Sequence, residues 1–476
     1  AAKLAKIFPD LDAKRLRADL TGERKFVWIK KKISPEQMQA VHDIGEPGLV
    51  FGPREMRLYP NGRLASHILG GSQFGNEGVS SAEVLGMAGV EKAFDGWLRD
   101  PANGGAPLQL SIDLTAQAAM EEVLANGMKV MSAKGATGIL MEVKSGEIIA
   151  MASLPDFDPN DRPRPLLKGD PSDSPLFNRA VQGQYELGST FKIFPVAQAI
   201  DEKLVNANTM INANSPMKIG KYLIHDFHNY GGQLSVRDII AKSSNVGTVR
   251  VAQMLGAERQ QRFLKNLGFF EPTPVEMTEA PTGKPLVPRR WPAVTAATVA
   301  FGHGLAASPL HLASAYATLA NDGRRVRPTL VHRKQPVQGE QVLAPQAAAA
   351  SRDLLRGVVT RGTAKAAEVT GYSVGGKTGT ADKPKPGGGY FKSRVVSTFA
   401  AIYPTDTPEY VLVVSLDEPS VSAAGGGELR TAGATAAPVA AALIQRLTPM
   451  LGLKPEGAAL PEIGPRASDA VRVSSS

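Results

Sequence analysis

At 476 residues, 43% of them hydrophobic and 21% charged, the chain has the composition of a globular protein and a length that suits two domains. Its 54 Lys and Arg outnumber its 45 Asp and Glu, but they are scattered and not interleaved with aromatic residues, which argues against nucleic-acid binding. The lack of cysteine excludes disulfides, thiol nucleophiles and cysteine-rich metal sites.

Residues 1–107 are rich in charges, glycine and proline, and their apolar segments are short. This pattern favours a small, extended module over a compact catalytic unit. Residues 101–105, Pro-Ala-Asn-Gly-Gly, predict a long turn or linker at its end. The sequence predicts neither a signal peptide nor a membrane span, because the longest apolar stretch, 432–444, is too short to cross a bilayer.

From residue 108 onward the strand and helix patterns become regular. A strand at 108–112 precedes a helix capped by Asp113 or Thr115, and strands 138–143 and 147–153 form a predicted hairpin. The predicted helices of the middle part are 192–203, 236–242, 246–255, 257–267 and 309–322. The last third contains predicted strands at 373–380, 395–403 and 410–416 and a helix at 432–447.

This order of elements predicts an α+β fold, an antiparallel sheet flanked by helices. The predicted divisions are a smaller non-catalytic domain at 1–107, a main domain at 108–447 and a disordered tail at 448–476.

Three short motifs follow one another along the main domain: Ser189-Thr190-Phe191-Lys192, Ser243-Ser244-Asn245 and Lys377-Thr378-Gly379. Ordinary residue frequencies give roughly one or two Ser-x-x-Lys matches by chance in such a chain, and on the order of 0.1 Lys-Thr-Gly matches. A second Ser-x-x-Lys occurs at 215–218, but Pro216 and the strand pattern that follows separate its serine from its lysine. The three motifs in this order therefore indicate one site.

Ser189 opens a predicted helix, so its hydroxyl and the amine of Lys192, at i and i+3, should lie on one face within hydrogen-bond reach. The backbone N–H groups at the start of that helix would face the group that the serine attacks. Lys192 acts as a base only as the free amine, so burial and a second cation, for which Lys377 is the candidate, have to lower its pKa. The seven histidines form no triad-like signature.

Further candidates come from the second and third motifs. Ser243, in a loop between two predicted helices, is a candidate proton relay, and Asn245 is a candidate for holding a substrate amide. Lys377, Thr378 and Thr380 lie at the end of a predicted strand, where a cation and hydroxyls suit a terminal carboxylate. The residues thus predict a serine nucleophile, a lysine base and an anion-binding strand.

The sequence around the motifs resembles the class B penicillin-binding proteins, and the matching segments are 185–192, 243–247 and 376–381. Residues 301–305 and 308–310 are similar to the division-specific transpeptidase of that family. Residues 57–60 and 89–92 resemble its non-catalytic pedestal domain. The resemblance extends to about residue 447.

This resemblance implies a penicillin-binding transpeptidase domain behind a pedestal, and a serine D,D-transpeptidase that cross-links peptidoglycan stem peptides at the division septum and is a target of β-lactams. Ser189 would attack the penultimate D-Ala carbonyl and expel D-Ala, and an amine of a neighbouring stem would accept the acyl group. The backbone N–H groups of Ser189 and Thr380 would form the oxyanion hole. The third motif, Gly379 included, would bind substrate.

The resemblance also implies partners and a location. Neither a metal nor an organic cofactor is needed. The expected partners are stem peptides, β-lactam antibiotics and membrane proteins of the division machinery, without nucleic acid. The expected location is the periplasmic face of the bacterial inner membrane, reached through an anchor that this chain lacks.

Two features depart from the family pattern. The usual membrane anchor and an Arg-Gly…Asp-Arg-Asn-Gly segment are missing, so the chain is expected to be truncated at its N-terminus. Pro195 lies within the predicted helix 192–203, where it would cost a backbone hydrogen bond and favour a kink, without an evident function.

Two alternatives stay open. The nearest is a hydrolase, a D,D-carboxypeptidase or a β-lactamase, although no Glu-x-x-Leu-Asn-like segment lies between the second and third motifs to activate water as in class A β-lactamases. The other is a β-lactam-binding sensor or a division scaffold without turnover, against which the complete set of catalytic residues argues.

Overall fold

The structure, a computed structural model, describes residues 1–23, 25–52, 56–75, 84–272, 275–280 and 284–456. Internal packing divides the chain into two compact units, one that contains Ala1–Met56 and one that contains Arg57–Gly75 and the residues from Val84 onward. This division lies near residue 57, whereas the sequence predicts a domain boundary near 107. The boundary at 107 stays a prediction.

Three short helices lie in the first unit: α1 (Ala2–Ile7), α2 (Ala13–Thr21) and α3 (Pro35–His42). The carboxylate of Asp12 caps α2, and Ser34 forms a capping box with Gln37 at the start of α3. A small apolar cluster joins the helices and consists of Leu4, Phe8, Leu16 and Val41. Capped ends and a shared core stabilise helices that would be too short to form alone, which is why they form where the sequence shows only short apolar segments.

The elements of the second unit are, in chain order, α4 (Ser66–Leu69), β1 (Gly71–Phe74), β2 (Val84–Ala88), α5 (Gly89–Ala93), α6 (Asp95–Arg99), α7 (Leu114–Val130), β3 (Gly135–Glu142), β4 (Ile148–Leu154), β5 (Tyr185–Glu186), α8 (Ile193–Asp201), β6 (Met210–Asn212), β7 (Met217–Ile219), β8 (Tyr222–Ile224), β9 (Gln233–Ser235), α9 (Val236–Lys242), α10 (Asn245–Leu255), α11 (Ala257–Asn266), α12 (Ala293–Ala300), β10 (Ala306–Ala307), α13 (Pro309–Ala320), α14 (Pro345–Arg361), β11 (Gly375–Pro384), β12 (Tyr390–Tyr403), β13 (Tyr410–Asp417), β14 (Val421–Ser422), β15 (Glu428–Leu429) and α15 (Ala436–Met450). The predicted strand 108–112 contributes only an isolated bridge between Leu110 and Val331. The hairpin and the middle helices lie where the sequence predicts them, within a few residues.

Five of these strands form the central antiparallel sheet, in the order β11-β12-β13-β3-β4. Every residue of β13 is buried, so helices cover both faces of the sheet. Helices α7 and α15 pack against each other and against the sheet, and α13 and α14 form a second such pair. The predicted α+β fold is confirmed. The third motif lies on β11, the edge strand of this sheet.

Helix α13 is buried along its whole length. It begins at a capping box in which the side chains of Ser308 and His311 bond each other's backbone N–H groups. Inside the core, the hydroxyl of Tyr316 donates to the carbonyl of Thr190 at 2.8 Å. A helix that is buried on all sides suits the centre of a domain, and this one contacts the first motif through Tyr316.

The C-terminal helix α15 ends at Met450, so the predicted tail at 448–476 begins inside an ordered element. The N–H of Glu456 donates to the carbonyl of Gly371 at 2.7 Å, and its carboxylate accepts from the hydroxyl of Ser373 at 2.7 Å. The rest of the predicted tail, 457–476, lies outside the described residues. In the described ranges, no helix combines the length and the apolar character that a bilayer span requires.

Candidate active site

Ser189 lies on a 3₁₀ helix, Gly188–Lys192, that leads directly into α8. Side chains at i and i+3 of a 3₁₀ helix are aligned one above the other, so Ser189 and Lys192 lie on the same side. Ser189 is partly exposed, whereas Lys192 is 1% exposed. The α-helix predicted over 192–203 corresponds to α8, and the first motif lies on the 3₁₀ helix that precedes it.

Pro195 is the third residue of α8. The first four N–H groups of an α-helix have no partner within the helix, so a proline there costs no backbone hydrogen bond. Pro195 thus lies in the first turn of α8, where proline is tolerated, and the kink stays a prediction.

Glycine backbones bring three segments into contact around Ser189. Gly302 and Gly188 both have positive φ, +83° and +54°, and the N–H of Gly188 donates to the carbonyl of Gly302 at 3.2 Å. A Cβ on Gly302 would lie 2.0 Å from the carbonyl oxygen of Gly188, and a Cβ on Gly379 would lie 2.4 Å from that of Leu187. Only glycine allows the loop of the first motif to lie between β11 and the residues that follow α12.

Ser243 connects the second motif to both lysines. It ends α9 in the left-handed conformation, with φ 61° and ψ 44°, which is unfavourable for a residue other than glycine and occurs often at functional sites. Lys192 Nζ donates to the carbonyl of Ser243 at 2.6 Å and to its Oγ at 3.0 Å. Lys377 Nζ donates to the same Oγ at 2.9 Å and to the carbonyl of Thr378 at 3.1 Å. The amine of Lys192 thus donates to Ser243, whereas the sequence predicts that it lies within hydrogen-bond reach of Ser189.

Burial lowers the pKa of both lysines. The pKa of Lys192 lies well below its usual value because the amine is desolvated and, secondly, because the positive charge of Lys377 repels a proton; the charge of Asp226 opposes this in part. Burial alone lowers the pKa of Lys377 to about 7. The lowered pKa of Lys192 favours its free amine, the form that can act as a base, and the charge of Lys377 changes around pH 7.

Asp226 is a residue of this site that the sequence does not reveal. Its carboxylate accepts from the hydroxyl of Ser244 at 2.7 Å and from the N–H groups of Asn245 and Val246 at the start of α10. A carboxylate at a helix N-terminus is stabilised by the helix dipole and satisfies N–H groups that have no partner within the helix. Asp226 thus fixes the second motif from 19 residues away, and nothing in the spacing signals that contact.

The hydroxyls of the third motif have defined partners. Thr378 Oγ1 lies 2.8 Å from Thr363 Oγ1, and Thr380 Oγ1 accepts the N–H of Ala432 at 2.8 Å. Because Thr380 accepts in this bond, its own hydrogen is available to a further acceptor. Asn245 donates its side-chain amide to the carbonyl of His225 at 2.8 Å, which orients the amide.

The second Ser-x-x-Lys sequence, at 215–218, has a structural role instead of a catalytic one. Ser215 precedes β7, its hydroxyl accepts the N–H of Asp226 at 2.9 Å, and Lys218 is exposed on the strand. The strand carries its lysine away from the serine, as the sequence predicts. Ser215 therefore supports the loop that holds the second motif.

Comparison with known proteins places this geometry in a family. Residues 136–445 match the family described as penicillin binding protein transpeptidase domain, and residues 1–105 match the penicillin-binding protein dimerisation domain. A probable peptidoglycan D,D-transpeptidase FtsI of Caulobacter vibrioides is 37% identical over 465 residues, 95% of this chain and 76% of that protein. The peptidoglycan D,D-transpeptidase FtsI of Escherichia coli is 26% identical over 469 residues, 94% of this chain and 76% of that protein.

A solved structure agrees with the sequence comparison. Penicillin-binding protein 3 of Mycobacterium tuberculosis, complexed with ampicillin, superposes with a TM-score of 0.74 at 28% identity, covering 85% of this chain and 92% of that one. The chain therefore belongs to the class B penicillin-binding proteins, as a peptidoglycan D,D-transpeptidase of the division-specific type.

Proposed function

We propose that the chain forms a covalent acyl-enzyme at Ser189 during peptidoglycan cross-linking, with Lys192 as the general base and Ser243 as the proton relay. The observation that carries this proposal is the convergence of Lys192 and Lys377 on one hydroxyl oxygen, Ser243 Oγ. Burying two amines is costly for a fold, so their placement around one hydroxyl beside a partly exposed serine has a chemical rather than a structural reason.

Acylation begins with Lys192 as the free amine. It takes the proton of Ser189 while the serine oxygen attacks the penultimate D-Ala carbonyl of a stem pentapeptide. A C–O bond forms, the C–N bond to the terminal D-Ala breaks, and the departing amine receives the proton from Lys192 by way of Ser243. An amine of a neighbouring stem then attacks the ester, loses a proton through the same groups, and Ser189 recovers its hydrogen.

The negative oxygen of each tetrahedral intermediate needs two donors, and the N–H groups of Ser189 and Thr380 are the proposed pair. The two segments are close, since a Cβ on Gly188 would lie 3.5 Å from the nitrogen of Thr380. Gly379 supports this pairing, because a side chain there would push β11 away from the loop of Ser189.

The terminal carboxylate of the substrate is assigned to Lys377, Thr378 and Thr380, and an amide of the stem to Asn245. Lys377 supplies a cation whose charge such a carboxylate stabilises, and Thr380 has a hydrogen to donate. A β-lactam carries a comparable carboxylate and carbonyl, so the same residues are proposed to bind penicillins. The complex of the similar Mycobacterium tuberculosis protein with ampicillin supports the proposal that this chain binds penicillins.

We further propose the domain divisions 1–107 (a non-catalytic pedestal), 108–447 (the transpeptidase domain) and 448–476 (a tail). The match of residues 1–105 to a dimerisation domain supports the first of these. The proposed location is the periplasmic face of the inner membrane, and membrane proteins of the division machinery are the proposed partners. The name FtsI of two relatives supports this placement.

The test is intact-mass spectrometry after incubation with a penicillin, followed by mapping of the modified peptide. We expect a stable penicilloyl adduct at Ser189, no adduct in Ser189→Ala, and an adduct in the matched control Ser215→Ala, which alters the other Ser-x-x-Lys. Labelling that survives in Ser189→Ala would disprove the assignment of the nucleophile. An adduct that forms and disappears within seconds would indicate a hydrolase instead of a transpeptidase.

A further inference from the structure

Glu186 joins three segments that border Ser189, and the mechanism above does not use it. Its carboxylate accepts the N–H of Gly304 at 2.8 Å and lies 3.1 Å from His303 Nδ1. The hydroxyl of Tyr390 lies 3.0 Å from each of its two oxygens. The partners therefore belong to the segment 302–304 and to the first residue of β12, while Glu186 itself lies three residues before the serine.

The surroundings shift the pKa values of Glu186 and Tyr390 in opposite directions. Partial burial alone would raise the pKa of Glu186, but hydrogen bonds from His303, Gly304 and Tyr390 outweigh it, and its pKa lies below the usual value. Burial and the charge of Glu186 raise the pKa of Tyr390 to about 12, so the phenol keeps its hydrogen and donates it. The ring of Tyr390 also packs edge-on against His303, with centroids 6.4 Å apart.

The backbone connects this cluster to the nucleophile. Strand β5, which ends at Glu186, pairs with β10, and two residues later Gly188 donates its N–H to Gly302. Tyr390 pairs with Pro384 at the far end of β11, the strand that carries Lys377. A single carboxylate thus holds the loop before Ser189 both to the 302–304 segment and to the β11–β12 hairpin.

We infer that Glu186 is a positioning residue for acylation: by holding these three segments together it fixes Ser189 relative to the backbone N–H of Thr380. The inference rests on the proposed function only in taking Ser189 as the nucleophile. The inference also explains the contacts of His303 and Gly304 with Glu186, since no step of the proposed chemistry requires the segment that contains them. A displacement of a reacting group by about 1 Å lowers a reaction rate steeply. Loss of the Glu186 carboxylate should therefore lower the rate constant of acylation.

The test measures the acylation rate constant and the preceding non-covalent affinity separately, by stopped-flow with a fluorescent penicillin. Glu186→Ala should lower the rate constant about 10- to 100-fold, because it removes several hydrogen bonds to a charged group, and should leave the affinity near that of the wild type. Glu186→Gln should recover part of the rate, since an amide oxygen still accepts the N–H of Gly304. Tyr390→Phe should lose less than Glu186→Ala, and the double variant should lose less than the product of the two single losses.

A matched control is Glu121 on α7, whose carboxylate also accepts a backbone N–H, from Ala65, and a side-chain N–H, from Gln117. Glu121→Ala should lower the unfolding temperature without changing the acylation rate constant. The inference is overturned if Glu186→Ala acylates at the wild-type rate, if only its affinity falls, or if its loss matches that of Glu121→Ala. Should Glu186→Ala fail to fold, Glu186→Gln and Tyr390→Phe decide by the same criteria. Labelling that persists in Ser189→Ala would instead disprove the proposed function, so the two failures are distinguishable.

Discussion

Removing the carboxylate of Asp226 should weaken both the fold and the acylation step. In Asp226→Ala, three hydrogen bonds to a charged acceptor are lost, from the hydroxyl of Ser244 and from the N–H groups of Asn245 and Val246. Each such bond contributes about 1.5–3 kcal/mol, and Ser244 and Val246 are buried, so their donors regain little water; we expect a total loss of at least about 4.5 kcal/mol. Against a typical stability of about 5–15 kcal/mol, Asp226→Ala should remain folded with a narrow margin.

Asp226→Asn removes the negative charge of the side chain but keeps its size and one oxygen that accepts hydrogen bonds. The amide oxygen can still accept the two N–H groups of α10, so the expected loss of stability is about 1 kcal/mol, from the helix dipole and the weakened bond to Ser244. Acylation should slow about tenfold or more in Asp226→Ala, because Asn245 and the neighbouring Ser243 lose their fixed position, and less in Asp226→Asn.

The assays are urea unfolding, analysed for the free energy of unfolding, and the second-order rate of labelling by a fluorescent penicillin. The control is Asp113, a carboxylate that caps α7 by accepting the N–H of Ala116 at 2.8 Å. Asp113→Ala should cost about 1 kcal/mol of stability and leave labelling unchanged. If Asp226→Ala behaves like Asp113→Ala in both assays, Asp226 caps a helix and does not organise the site.

Three further outcomes follow from the geometry of the site. Lys192→Arg keeps the charge but has no accessible free base, so acylation should fall about 10²- to 10⁴-fold while the fold persists, and a near-wild-type rate would refute the free-amine mechanism. Lys377→Met removes a positive charge, so Lys192 keeps its proton to higher pH, and the ascending limb of the pH profile of acylation should move to higher pH. Asp226→Asn removes a negative charge that favours the protonated amine of Lys192, so the same limb should move to lower pH. An unmoved limb in both variants would mean that desolvation alone sets the pKa of Lys192. Gly302→Ala forces a Cβ to within 2.0 Å of the carbonyl of Gly188 at a φ of +83°, so the unfolding temperature should fall by several degrees, and an unchanged temperature would show that the two segments can separate at little cost.

The sequence predicts most of the fold because periodic apolar patterns and caps are local signals. The β3–β4 hairpin, the helices around the second motif and the strands of the third motif depend on such signals. The α-helix predicted to start at Lys192 starts at Ile193, but the sequence does not reveal that the first motif before it forms a 3₁₀ helix, since the propensities of five residues do not distinguish a 3₁₀ helix from a turn of α-helix.

Contacts between distant residues are what the sequence does not specify. Asp226 and Tyr390 are ordinary polar residues in turn-rich segments, and only the folded chain brings them to Asn245 and Glu186. The left-handed conformation of Ser243 is equally hidden, because serine has no particular preference for it. The sequences of the three motifs thus predict which residues form the site. The residues that hold these motifs in place can be identified only from the tertiary structure.

The pKa of Lys377, about 7, has a consequence for every ligand that brings a carboxylate to this site. At neutral pH about half of the molecules have an uncharged amine there, and an arriving carboxylate favours the charged form. On the proposed role of Lys377, capture of such a ligand is coupled to the uptake of a proton from the solvent. The heat of binding then depends on the ionisation enthalpy of the buffer, and affinity decreases as the pH rises above about 7. The enzyme acquires part of the charge that holds its ligand only when the ligand arrives.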